Sequence, residues 1–218
     1  VLREEGTAGA ELLEVLREEG TARRVGRGHA RGLLRALAAH PALQQAATAG
    51  DDASVQILDL VTRRTVAARH NLPGSVHSVA YAPSGAGGAH LALGLSHGRV
   101  LVLGAQNLDR EVASRQVAAD AVEVLTYSPG GSLLAVGSAD HSIYLLDTDQ
   151  YGVRAVCRGH SGSVNGVDFS LDSKYLQSTS SARELLFWDA ETGARVREAG
   201  SVRDVPWATA TCPLGWAV

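Results

Sequence analysis

Residues Gly159 to Asp189 read GHSGSVNGVDFSLDSKYLQSTSSARELLFWD, and the parsing of this stretch decides the fold. VNGVDFS, YLQSTS and LLFWD are apolar or alternating runs of strand length. LDSK and SARE separate them, rich in the Asp and Ser that bond their own backbone and favour turns. Short strands joined by tight turns make an antiparallel meander. The same stretch sets His160 beside Ser161 with Asp168 further on, the residue types of a nucleophilic triad. It lacks the G-x-S-x-G turn that presents such a serine. Neighbouring side chains of an extended segment also face opposite sides. These residues therefore read as structural, and no catalytic residue is assigned.

Working outward, the end of this stretch, STSSARELLFWDA (178–190), stacks on TAGDDASVQILDL (48–60), LGLSHGRVLVLGA (93–105) and VGSADHSIYLLDT (136–148). With Asp59, Gly104, Asp147 and Asp189 as equivalent anchors, the spacings are 45, 43 and 42 residues. Pro41, Pro129 and Leu171 each lie 18 residues before their anchors, whereas Pro83 lies 21 before Gly104, which places a three-residue insertion in SGAGGAH (84–90). A fixed period of this length built from strands and turns predicts an all-β chain, a β-propeller fragment of about four blades plus the start of a fifth.

Composition agrees with short strands. The 218 residues are 45% hydrophobic, enough for a core, and contain 24 Gly but no Met. A net charge of −3 gives no reason to expect nucleic acid. The five arginines between Arg23 and Arg35 are read as a solvated face. Cys157 and Cys212 lie 55 positions apart with no C-x-x-C, which predicts free thiols in a reducing compartment. No apolar run reaches the roughly 18 residues of a membrane span, so a soluble, intracellular protein without a membrane partner is expected. His70, His77, His90 and His97 lack the paired spacing of a metal site. GAGGAH (85–90) lacks the G-K-[ST] of a phosphate loop, and Asp51 with Asp52 suits a turn. Neither metal nor cofactor is expected.

Gly159-His160 and Trp188-Asp189 resemble the GH and WD marks of the WD40 repeat. The resemblance implies a buried chain of histidine, Ser/Thr, turn aspartate and tryptophan in each blade. The fourth copy offers His160, Ser178 and Trp188, with Ala182 at the aspartate place. The first offers His29, Thr48 and Asp52, with Leu58 for the tryptophan; the third keeps Asp140, and the second has His97 there. The closing DVPWATATCPLG (204–215), together with GH…HP at Gly28-His29 and His40-Pro41, is more specific and is similar to the echinoderm microtubule-associated protein-like family. Arg35 stands where that family tends to carry tryptophan.

This resemblance implies a cytoplasmic, cytoskeletal WD40 scaffold that organises the cytoskeleton without catalysis. Its partners would be tubulin and microtubules, with self-association through regions outside this chain. A WD40 adaptor for an unrelated complex is the alternative. The chain is then an internal piece of one propeller, residues 28–218, with repeats at 28–60, 72–105, 118–148 and 159–190 and a further one starting at 201–218. Residues 1–27, in which LREEGTA occurs twice, are unassigned; ELLEVLREE there fits an amphipathic helix or, in register, an outer strand of a preceding blade.

Overall fold

The computed structural model describes residues 2–5, 8–15, 22–26, 29, 32–83 and 90–212. The insertion at 84–89, Gly28 and the closing 213–218 lie outside these described residues. Four sheets follow one another with the expected period. The first orders β4 (Leu34–Ala39), β5 (Gln45–Gly50), β6 (Val55–Asp59) and β7 (Arg64–Arg69). The second contains β8 (Val76–Tyr81), β9 (His90–Leu95), β10 (Arg99–Gly104) and β11 (Glu111–Gln116). The third contains β12 (Val122–Tyr127), β13 (Leu133–Ser138), β14 (Ser142–Asp147) and β15 (Val153–Arg158). The fourth has three strands, β16 (Val164–Phe169), β17 (Tyr175–Ser180) and β18 (Leu185–Asp189). Upstream, β1 (Leu2–Glu5), β2 (Ala8–Val15) and β3 (Ala22–Gly26) form a separate sheet, so ELLEV lies in a strand. Every pairing is antiparallel, and no α-helix occurs among the described residues.

The inner strands β4, β8, β12 and β16 lie side by side, and each sheet runs outward from them. The core fills the gaps between successive sheets. Val76, Val79 and Tyr81 of β8 pack with Ala47, Ala49, Val55 and Ile57 of the sheet before, and Val164, Val167 and Phe169 of β16 with Ile143 and Leu145. Each of the larger of these side chains, the valines, isoleucines, leucine and phenylalanine, contributes about 1.5–3 kcal/mol on burial. Burial fades outward: β9 and β13 are almost wholly buried, β7 and β11 mostly exposed or half-buried.

Close approach of the sheets needs small residues ten positions before the anchors, where Ala49, Gly94 and Gly137 stand. A Cβ on Gly137 would lie 2.5 Å from Val124 Cγ1 and 2.8 Å from Val164 Cγ1. Gly137→Val is therefore expected to destabilise by about 1–3 kcal/mol through overpacking. Urea unfolding checks this, and an unchanged midpoint would contradict so tight a fit.

In the first, third and fourth sheets the turn after the third strand places the fourth residue past the anchor in the left-handed region: Arg63 (φ 58°), Tyr151 (φ 55°) and Gly193 (φ 72°). Glycine takes this conformation freely, and tyrosine does so at a cost. Tyr151 is held there by its buried hydroxyl, which lies 2.9 Å from His90 Nδ1 and 3.1 Å from Tyr127 Oη.

Candidate functional site

The polar residues singled out in the sequence fall into buried networks at the starts of the inner strands. In the fourth sheet a chain of hydrogen bonds runs in one direction. Trp188 Nε1–H donates to Ser178 Oγ at 2.7 Å, and His160 Nε2 lies 2.7 Å from the same oxygen. His160 Nδ1 faces Glu184 Oε2 at 3.1 Å. The indole can only donate and a carboxylate only accepts. The proton therefore belongs on Nδ1, which donates to Glu184, while Ser178 donates its own to Nε2. Burial pushes the imidazole below its ordinary pKa, only partly opposed by Glu184. Glu184 also accepts from Ser161 Oγ–H (2.7 Å), Ser161 N–H (2.9 Å) and Ser180 Oγ–H (2.9 Å). Bonds from Ser161, His160 and Ser180 pull its carboxyl down to about 2.

Glu184 was not foreseen as the acid of this network. Asp52 stands seven residues before its anchor and Glu184 five before, where the first and third copies carry Ser54 and Ser142 and the second carries Arg99. The longer side chain reaches the histidine from the neighbouring place, which accommodates Ala182.

The first sheet builds a related cluster. His29 Nδ1 lies 2.8 Å from Asp52 Oδ1 and 2.9 Å from Ser54 Oγ, and Nε2 lies 3.2 Å from Thr48 Oγ1. Asp140 joins no histidine. It accepts from Ala119 N–H (2.9 Å), Ser142 N–H (3.1 Å) and Tyr144 Oη–H (2.8 Å), tying the loop before β12 to the turn before β14.

Asp168 lies apart from both His160 and Ser161, so no triad is assembled. Its fully buried carboxylate accepts from Thr209 Oγ–H, Thr211 N–H (2.9 Å), Thr211 Oγ–H (2.8 Å), Cys212 N–H (3.0 Å) and Gln177 Nε2–H (3.1 Å). Burial alone would raise its pKa, but the bonds from Thr209, Thr211 and Cys212 outweigh that and hold it below the ordinary value. Asp168 thereby fastens the WATATC segment along β16, where Ala208 N–H also bonds the Phe169 carbonyl at 2.8 Å. Cys157 and Cys212 are free and buried, and burial pushes both thiols up to about 12.

Two surface hollows accompany the networks. One of about 390 Å³ gathers Arg35, His77, Glu123 and Asn165, the second residue of each inner strand. His77 Nδ1 lies 3.2 Å from Glu123 Oε1, and Arg35 pairs with Asp51. The other, about 410 Å³, lies by Tyr127, Tyr151 and His90. Among the described residues no group of three or more His, Cys, Asp or Glu is placed to hold a metal ion, and no helix is long and apolar enough to cross a membrane.

Residues 34–218 match the family model for the echinoderm microtubule-associated protein second beta-propeller. The chain belongs to this family. Echinoderm microtubule-associated protein-like 2 of Rattus norvegicus is 36% identical over 186 residues, which is 84% of this chain and 28% of the rat protein. The 77 kDa echinoderm microtubule-associated protein of Lytechinus variegatus is 34% identical over 84% of this chain and 27% of its own length. The chain thus spans little more than a quarter of these relatives. A chain in a crystal structure of the mitotic checkpoint complex superposes with a TM-score of 0.73 at 16% identity, over 83% of this chain and 55% of that one. That likeness concerns the propeller fold alone. In this family setting His160 is a blade residue. His160→Ala is expected to lower stability by about 1–3 kcal/mol, since Ser178 and Glu184 lose a buried partner. Chemical denaturation measures the loss; a hydrolytic activity that disappeared with the fold intact would overturn the structural role.

Proposed function

We propose that this chain is a non-enzymatic part of a microtubule-associated scaffold, presenting propeller loops and rims to tubulin in the cytoplasmic cytoskeleton. Family membership supports the partner, since the relatives are named for microtubule association. One observation carries the absence of chemistry: the side chains that could react are committed to holding blades. His160 has both ring nitrogens engaged, Ser161 is tied to Glu184, and the Asp168 carboxylate is saturated by Thr209, Thr211, Cys212 and Gln177. A general base or nucleophile needs a free, substrate-facing atom. Conserving the blade networks while varying loops is how one propeller scaffold takes different partners. Co-sedimentation with polymerised tubulin tests the proposal. Protein that remained in the supernatant at every tubulin concentration would favour an adaptor for an unrelated complex.

A further inference from the structure

The fourth sheet lacks the six-residue outer strand that β7, β11 and β15 give the other three. After β18 the chain makes the single bridge Trp188↔Arg195, donates Val196 N–H to the Phe187 carbonyl at 2.8 Å, and leaves into a 3-10 turn at Ala199–Val202. Asp189 N–H and the Phe187 carbonyl bond outward to this segment. In an antiparallel ladder the same alternation aims the N–H and carbonyl of Leu185 at the outer edge. Among the described residues no strand pairs with that edge.

The repeat shows what is uncovered. Val55, Val100 and Ile143, each four residues before its anchor, are at most 1% exposed and pair with the outer-strand residues Arg69, Arg115 and Cys157. Leu185 holds the same position in the fourth sheet and is only partly buried. The charge beside the edge is mainly positive. Arg183 precedes it, and Arg195 and Arg197 lie on the departing segment; all three are exposed, with Glu198 nearby and Glu184 turned to His160.

We propose that the Leu185 end of the outer edge of β18, ahead of the stretch that residues 194–196 already cover, is a docking site for an extended, acidic segment of a partner protein. Backbone bonds to Leu185 would supply affinity, and a small apolar side chain would cover Leu185 as Cys157 covers Ile143. Acidic residues flanking that side chain would meet Arg183, Arg195 and Arg197. The inference stands independently of what the full-length protein binds.

The probe is an acetylated, amidated peptide, GVEAVAEG, which follows the β15 sequence with glutamate for its arginines and alanine for its cysteine. Added to the whole chain, it is expected to bind saturably and to slow hydrogen exchange of the Leu185 amide about tenfold or more. Methylating its alternate backbone nitrogens should abolish binding, and the charge-reversed GVRAVARG should bind at least about tenfold more weakly. Absence of binding, or indifference to N-methylation, would overturn strand addition. Equal affinity of the charge-reversed peptide would overturn the acidic occupant. Protection of Leu185 that grows with protein concentration, without peptide, would assign the edge to a second copy of this chain and overturn the partner proposal.

Discussion

Asp168→Ala is expected to destabilise the protein by about 3–5 kcal/mol, the largest effect of any single polar substitution here. The change strands the amides of Thr211 and Cys212 and the Gln177 side chain in a buried site, and releases the WATATC segment from β16. Asp168→Asn keeps the shape but turns an NH2 group towards donors, so it should recover only part of the loss. The pH dependence follows from the depressed carboxyl. Its contribution is fully present above the unfolded value near 3.9 and is lost as pH falls through the lower folded value. The gap in stability between the parent and Asp168→Ala should therefore be constant near neutrality and close below about pH 4. Urea titrations at several pH values measure it. A gap that stayed open in acid would show that the carboxylate charge is not what binds the segment.

Trp188→Ala should cost about 3–5 kcal/mol, chiefly through the cavity left by a fully buried indole. Trp188→Phe retains most of the volume yet removes the N–H that bonds Ser178, and about 1–2 kcal/mol is expected. The two substitutions separate packing from the hydrogen-bond chain. A double-mutant cycle of Trp188→Phe with Ser178→Ala should give a coupling of about 0.5–3 kcal/mol, because both act on one bond. Strict additivity would mean that the chain from Trp188 to His160 contributes nothing beyond volume.

The period of the anchors made the sheet order legible, since turn chemistry and apolar runs recur wherever a strand is buried on both faces. The outer strands were less legible. RTVAAR and EVASRQ lie at the rim, half in water, and carry no sustained apolar run to mark them. Within the site, His160, Ser178 and Trp188 could be named because a buried imidazole and indole need partners at predictable places. Glu184 could not, because it does its work from a position that the other copies give to Ser54, Arg99 and Ser142, none of them an acid. Asp168 was visible as an acid, but its partners Thr209, Thr211 and Cys212 lie 41 to 44 residues further on. Only the packing of the 207–212 segment against β16, through the Ser170–Trp207 bridge and the bonds to Asp168, brings them together, and no local pattern encodes that.

Microtubule association through this propeller is tested most directly by co-sedimentation of the full-length protein with polymerised tubulin, beside the same protein lacking residues 34–218, over a salt series. The chain itself carries a net charge of −3; if the full-length protein carries a basic region elsewhere, as the family resemblance implies, that region would act beside these blades. Attraction through a basic region fades as the screening length shrinks from about 10 Å at 0.1 M salt to about 3 Å at 1 M. Both proteins are expected to pellet at low salt, and the one without the propeller to be released at a lower salt concentration because it lacks the blade contacts. Identical release curves would contradict a microtubule-binding role for these blades.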